Sequence, residues 1–235
     1  MSAATLKKIA VITMLIDHVA VAFFCIFTSN YDGSAAFAGA DTIYQVMRII
    51  GRTSFPLFCF LLVEGFCHTK SVRKYLLRLF VFACLSEVPF DLAFFDKVWD
   101  FSMQNVFFTL FFAVAAMECL RRSEKSEVKR LRVAWMLGVV VCTLAAYVLR
   151  TDYSWKGVIL VLLLYVFRYQ RIVACFAGYA AMCLLMLSSW GFPAFFLMNG
   201  YNGKKGNGSK YFFYVFYPVH ILVLAGIRIW VLKYL

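Results

Sequence analysis

Apolar and polar positions along this 235-residue chain fall in long blocks. Eight apolar runs stand out, at residues 6–28, 42–67, 74–95, 102–121, 132–150, 155–170, 171–191 and 211–232. An α-helix needs about 20 mostly apolar residues to cross hydrocarbon. The pattern therefore predicts an all-α, polytopic transmembrane helix bundle of about eight spans, in a single integral-membrane domain covering 1–235. The runs 155–170 and 171–191 are separated only by Arg168-Tyr169-Gln170-Arg171, so a short or amphipathic helix there is an open alternative. The first run follows Lys7-Lys8, as a secretory signal would. It is longer than a signal's apolar core, carries Asp17-His18 at its centre and lacks a clear A-x-A cleavage site, so it is expected to remain as a first helix.

Composition supports a lipid environment. Hydrophobic residues make up 63% of the chain and charged residues 15%, with a mean hydropathy of +0.79. A water-soluble fold of this length has too little polar surface to cover so much apolar side chain. The net charge of +12 would point to nucleic acid in a soluble protein. Here the basic residues sit between the apolar runs, and topology explains them without a nucleic-acid partner. Lys7, Lys8, Lys70, Arg73, Lys74, the Arg121–Arg132 loop, Arg168, Arg171 and Lys233 fall on one set of connections. Lys97, Arg150, Lys156, Lys204, Lys205 and Lys210 fall on the other. The excess places both termini in the cytoplasm. Residues Asn199 to Lys210, rich in glycine and asparagine, read as a flexible outer loop. The eight cysteines contain no C-x-x-C pair, so packing roles are expected and no metal site.

Ionisable groups in hydrocarbon are costly, and by default they mark function. This chain buries Asp17, His18, Arg48, Arg52, Glu64, Glu87, Asp91, His220 and Arg228 within or at the ends of its apolar runs. Arg48 and Arg52 lie about six and ten residues from the outer end of their helix, and Asp91 and Glu87 about four and eight from that of the next. Matching depth and opposite charge predict an Arg48–Asp91 and Arg52–Glu87 ladder, read either as a register-fixing ion-pair zipper or as part of a site. His18 and His220 lie about ten and nine residues from their outer ends, in the Arg52–Glu87 layer. A histidine can exchange protons near neutral pH, as a general base must. Asp17 points about 100° from His18 and is expected to meet an arginine on the second helix. Lys7 precedes His18 by eleven residues, about 16 Å along one helix face. Pro56, Pro89 and Pro218 remove the hydrogen-bond partners of the Arg52, Leu85 and Tyr214 carbonyls, and broken helices are tolerated where they line a cavity.

Several segments then acquire a joint meaning: Leu15-Ile16-Asp17-His18, Gly51-Arg52 with Phe55-Pro56-Leu57-Phe58, Asn105-Val106-Phe107-Phe108, and Phe216-Tyr217-Pro218-Val219-His220. In order, they resemble the TraX family, named for the protein that acetylates the pilin subunit of conjugative plasmids. Lys7 eleven positions before His18 is also similar to the first helix of larger membrane acyltransferases. Ser86-Glu87-Val88-Pro89-Phe90-Asp91 resembles family members outside the pilin-modifying branch. The resemblance implies a multi-pass protein of the bacterial cytoplasmic (inner) membrane. It implies acyl transfer from cytoplasmic acetyl-CoA to an amine or hydroxyl, such as a peptide N-terminus or a glycan. In that scheme Lys7, Lys8, Lys70, Arg73 and Lys74 hold the nucleotide phosphates. His18 deprotonates the acceptor, Arg52 or Asn105 stabilises the oxyanion, and His220 completes the pocket. Asp17, Arg48, Glu87 and Asp91 are the supporting ion pairs. The residues alone leave open a transporter using the polar layer as a relay, or a non-catalytic membrane scaffold.

Overall fold

A computed structural model describes residues 1–24, 35–186, 188–207 and 210–234. Among these the architecture is all-α, with ten α-helices and one isolated bridge between Gln104 and Thr151. The helices are α1 (Ala3–Val19), α2 (Ala35–Gly51), α3 (Ser54–Cys67), α4 (Val72–Phe94), α5 (Val106–Lys125), α6 (Lys129–Val148), α7 (Ser154–Val166), α8 (Arg171–Met186), α9 (Phe192–Asn199) and α10 (Lys210–Tyr234). A π-helical turn, Ala20–Phe24, continues α1. The expected end of the first run at residue 28, and Cys25 within it, lie outside the described residues.

Among the described residues, three stretches are long and apolar enough to cross a bilayer: Gly39–Cys67, Lys129–Val148 and Phe212–Val231. Ser154–Val166 and Arg171–Met186 are apolar but shorter. On α6, Val133, Met136, Leu137, Val140, Val141 and Leu144 are between 45% and 63% exposed. A contiguous apolar surface of this kind is costly in water and costs nothing against lipid.

The predicted second span is broken. Pro56 cannot donate to the Arg52 carbonyl, and the chain tightens just before it. The Arg52 N–H reaches the carbonyls of Arg48 and Ile49 at 3.1 and 3.2 Å, and the Thr53 N–H that of Ile50 at 3.2 Å. The helix resumes at Ser54, whose hydroxyl donates to the Ala10 carbonyl at 3.0 Å. Pro89 and Pro218, by contrast, lie inside continuous helices.

The contacts divide the chain into two compact units. One comprises Met1–Phe58, Leu85–Asp100 and Ser188–Leu235; the other comprises Cys59–Cys84 and Phe101–Leu187. The second is built on an α5–α6 hairpin. The Ser123 hydroxyl donates to the Arg132 carbonyl at 3.1 Å near its turn. At its open end the Thr109 and Thr151 hydroxyls meet at 2.9 Å, both buried.

In the first unit α2 runs antiparallel to α1, since Arg48 meets Asp17 while Ser54 meets Ala10. α10 runs parallel to α1. The Ala3 and Ala4 N–H groups donate to the carbonyls of Lys204 and Lys205 at 2.9 and 3.0 Å. Further along, the Lys7 ammonium lies 5.1 Å from the centre of the Phe213 ring, and His18 meets His220. At the far end the Arg228 guanidinium donates to the Ala93 carbonyl at 2.5 Å and to Asp96 at 2.7 Å. It thereby satisfies an orphan carbonyl at the C-terminus of α4, which ends with Asp96 in the left-handed region at φ 55°.

This direction bears on the expected topology and corrects the reading of one loop. Of these two helices, only α10 contains a stretch long and apolar enough to cross a bilayer among the described residues; if α1 crosses as well, its parallel course puts the two termini on opposite faces. The segment beginning at Asn199 is not a free outer loop over its described residues. It is pinned beside the start of α1, with Gly206 (φ 69°) pressed so close to Ser2 that a side chain there would collide. Lys204 and Lys205 therefore join the N-terminal end, with Lys7 and Lys8. The element absent from the sequence pattern is α9. At eight residues it is about 12 Å long, too short to register as a span. Reporter fusions at each end are expected to be accessible from opposite membrane faces; accessibility from one face would contradict two parallel crossings.

Candidate functional site

The first and last helices each deliver one histidine to the same point. His18 Nδ1 lies 2.7 Å from His220 Nε2. The rings are within 10° of parallel with centroids 5.0 Å apart. That separation is the nitrogen–nitrogen distance plus two ring radii, so the imidazoles meet edge to edge through a hydrogen bond rather than face to face. His220 Nδ1 donates in turn to the Phe216 carbonyl, 2.7 Å away on the preceding turn of α10. The Phe216 ring lies over His220 at 4.7 Å and 15°. Phe94 and Tyr217 stand edge-on to His18 at 5.7 and 5.9 Å. His220 is buried and His18 half-buried. An aromatic wall of this kind excludes water and strengthens the hydrogen bonds inside it.

About 100° around α1 from His18, Asp17 accepts from Arg48 at 2.6 Å, meeting an arginine of the second helix as expected. The charge ladder is not formed. Arg48 goes to Asp17 instead of Asp91, and Arg52 is not paired with Glu87 among the described residues. Matching depth and opposite sign are necessary for a pair but do not select among neighbours. The α1–α2 hairpin brings Asp17 to Arg48 directly because Gly51 lets the Asp17 side chain lie against its backbone. Asp91 is fully buried, and its carboxylate accepts the Asp100 N–H at 2.8 Å, ordering the loop after α4. In that loop Lys97 donates to Asp100 at 2.6 Å, a bond that raises the Lys97 pKa. Glu87 is buried, at 5% exposure.

The Arg52 guanidinium, at the helix break, has no hydrogen-bonded partner among the described residues, although its charge acts on Asp17. Asn105 belongs to the other compact unit and has a structural role there. Its Oδ1 caps α5 by accepting the Phe107 N–H at 3.0 Å, and its Nδ2 donates to the Ala83 carbonyl at 2.8 Å. Lys8, Lys70, Arg73 and Lys74 are exposed, and Lys7 is half-buried against Phe213. Lys70, Arg73 and Lys74 lie at the α3–α4 connection, within the second unit.

Sequence reasoning did not single out Phe94, and gave Gly51, Lys204 and Lys205 no part in a site. Gly51 had a signal, since a small residue beside a buried charge marks close helix approach. A Cβ at Gly51 would fall inside the Asp17 side chain. Gly51→Ala is therefore expected to displace Asp17 and lower stability by about 1–3 kcal/mol, read by thermal unfolding in detergent. An unchanged melting temperature would contradict the α1–α2 packing.

A buried histidine pair closed by aromatic rings, within a helical protein of membrane composition, defines the class. The chain belongs to the TraX family, whose model, described as TraX protein, matches residues 2–228. It is also 32% identical, over 254 aligned residues, to a protein of Dichelobacter nodosus described as probable fimbrial assembly protein FimC, serogroup H1. That alignment covers 97% of this chain and 96% of the relative. No solved structure matches.

Proposed function

We propose that this protein is a multi-pass acyltransferase of the bacterial cytoplasmic membrane, moving an acetyl group from acetyl-CoA to an amine or hydroxyl on an acceptor at or across the bilayer. The observation that carries the proposal is the hydrogen-bonded His18–His220 pair, with the Arg52 guanidinium acting on the adjacent Asp17 and hydrogen-bonded to nothing among the described residues. A general base needs a nitrogen held in place within a low-dielectric site. An oxyanion needs a donor not already spent on a protein partner. In the proposed step His18 takes the proton from the acceptor N–H or O–H as that atom attacks the thioester carbonyl. Arg52 holds the oxyanion. The carbon–sulfur bond then breaks, and the leaving CoA sulfur takes the proton from His18.

The N-terminal end of the first unit suits an anionic donor, since Lys7 and Lys8 are joined there by the Lys204–Lys205 segment. Lys70, Arg73 and Lys74 form a second basic group. Asn105 is assigned a capping role rather than the oxyanion role. The family's link to pilus and fimbrial assembly favours a peptide N-terminus or a surface glycan as acceptor. Reconstituted protein given radiolabelled acetyl-CoA and a panel of peptides and glycans is expected to transfer label and release CoA in equal amounts. Folded protein that neither binds acetyl-CoA nor releases CoA would contradict the proposal.

A further inference from the structure

The two hydrogen bonds of the histidine pair fix where its protons sit. A backbone carbonyl only accepts, so the 2.7 Å contact between His220 Nδ1 and the Phe216 carbonyl requires the proton on His220 Nδ1. A neutral imidazole has one N–H, so His220 Nε2 then carries a lone pair. That lone pair faces His18 Nδ1 at 2.7 Å. A second lone pair there would be repulsive at this distance, so His18 Nδ1 carries its proton and donates. His18 Nε2 is left unprotonated.

We propose that His220 is a positioning residue that holds His18 in its Nδ1–H form, so that His18 Nε2 is the nitrogen that takes the acceptor's proton. Phe216 O, His220 and His18 form a directed chain: the carbonyl sets the tautomer of His220, and His220 sets that of His18. The logic matches a carboxylate orienting a catalytic histidine, with a second imidazole supplying the acceptor. Unlike a carboxylate, His220 brings no negative charge into the apolar layer. The pair also has a place for the second proton. When Nε2 of His18 is protonated, its Nδ1 proton can shift along the 2.7 Å bond to His220 Nε2, sharing the charge between two rings.

The part of this inference concerning which nitrogen reacts rests on the acyl-transfer proposal; the proton order does not. The chain has three histidines, and His68 is exposed and bonded to the Glu64 carbonyl. A His68→Gln background therefore isolates the pair. Nitrogen-15 NMR of histidine-labelled protein in nanodiscs is expected to show both rings neutral, each protonated at Nδ1 and not at Nε2. An Nε2–H form of either ring, or an imidazolium, overturns the proposal. His220→Phe keeps a ring but removes the acceptor, so His18 should become a mixture of tautomers and turnover should fall by about 10²-fold or more. His220→Gln restores an acceptor oxygen and should recover at least about tenfold of that loss. Full turnover in His220→Phe overturns the positioning role. The expected tautomers without any acetyl transfer would overturn the acyltransferase proposal while leaving the proton order intact.

Discussion

Arg48→Met is expected to lower the stability of the folded protein by about 3 kcal/mol, the lower end for removing one partner of a buried ion pair. The Asp17 and Arg48 side chains are 18% and 22% exposed and 2.6 Å apart. With Arg48 gone, the Asp17 carboxyl loses its partner, lies against the Gly51 backbone, and has one oxygen already without a hydrogen-bond partner. Arg52 remains nearby and offsets part of the loss. Asp17→Asn keeps the shape and strands the Arg48 charge instead, so it should also destabilise. The double variant, Asp17→Asn with Arg48→Met, removes both charges and should cost less than the two single changes combined. Thermal or denaturant unfolding in detergent reads all three. Strict additivity would mean that the pair does not couple α1 to α2.

The helices were legible in the sequence because each apolar run of adequate length has only one way to satisfy its backbone in lipid. Each of the eight predicted runs begins or ends within a few residues of an observed helix. The break at Arg52–Thr53 was legible too, because Pro56 cannot supply the missing N–H. Two features were not. α9 spans eight residues, below the length at which hydropathy marks a span, and the parallel course of α1 and α10 rests on contacts that no hydropathy pattern encodes. The ladder failed because depth alone cannot say which carboxylate an arginine meets. Gly51, a residue without a side chain, decided that choice for Arg48.

The histidine pairing shows both the strength and the limit of counting depth. His18 and His220 were placed in one layer by counting inward from the outer ends of antiparallel helices. The structure brings them together on parallel helices. His18 lies fifteen residues beyond Ala3, and His220 sixteen beyond Lys204, the residue hydrogen-bonded to Ala3. The meeting of the two residues was legible, but the direction of approach was not. Phe94 and the Phe216 carbonyl were invisible for a related reason. Which aromatic rings close on a polar group, and which backbone carbonyl it meets, depend on packing that no spacing in the chain encodes.

His18→Ala carries the largest expected effect on activity. Deleting a general base slows the chemical step by about 10²–10⁴-fold, and here it also removes the only hydrogen bond drawn to His220 Nε2 among the described residues. Stability should change little by comparison. The lost ring touches Phe94, Tyr217 and His220 at the edge of a half-buried site, and the Asp17–Arg48 pair is left in place. His68→Ala is the matched control, because it removes an exposed histidine outside the pair. The deciding measurement is label transfer from acetyl-CoA by reconstituted wild-type, His18→Ala and His68→Ala proteins at equal folded amounts. The account predicts transfer by the wild type and His68→Ala and a loss of at least about 10²-fold in His18→Ala; equal transfer by all three would contradict it.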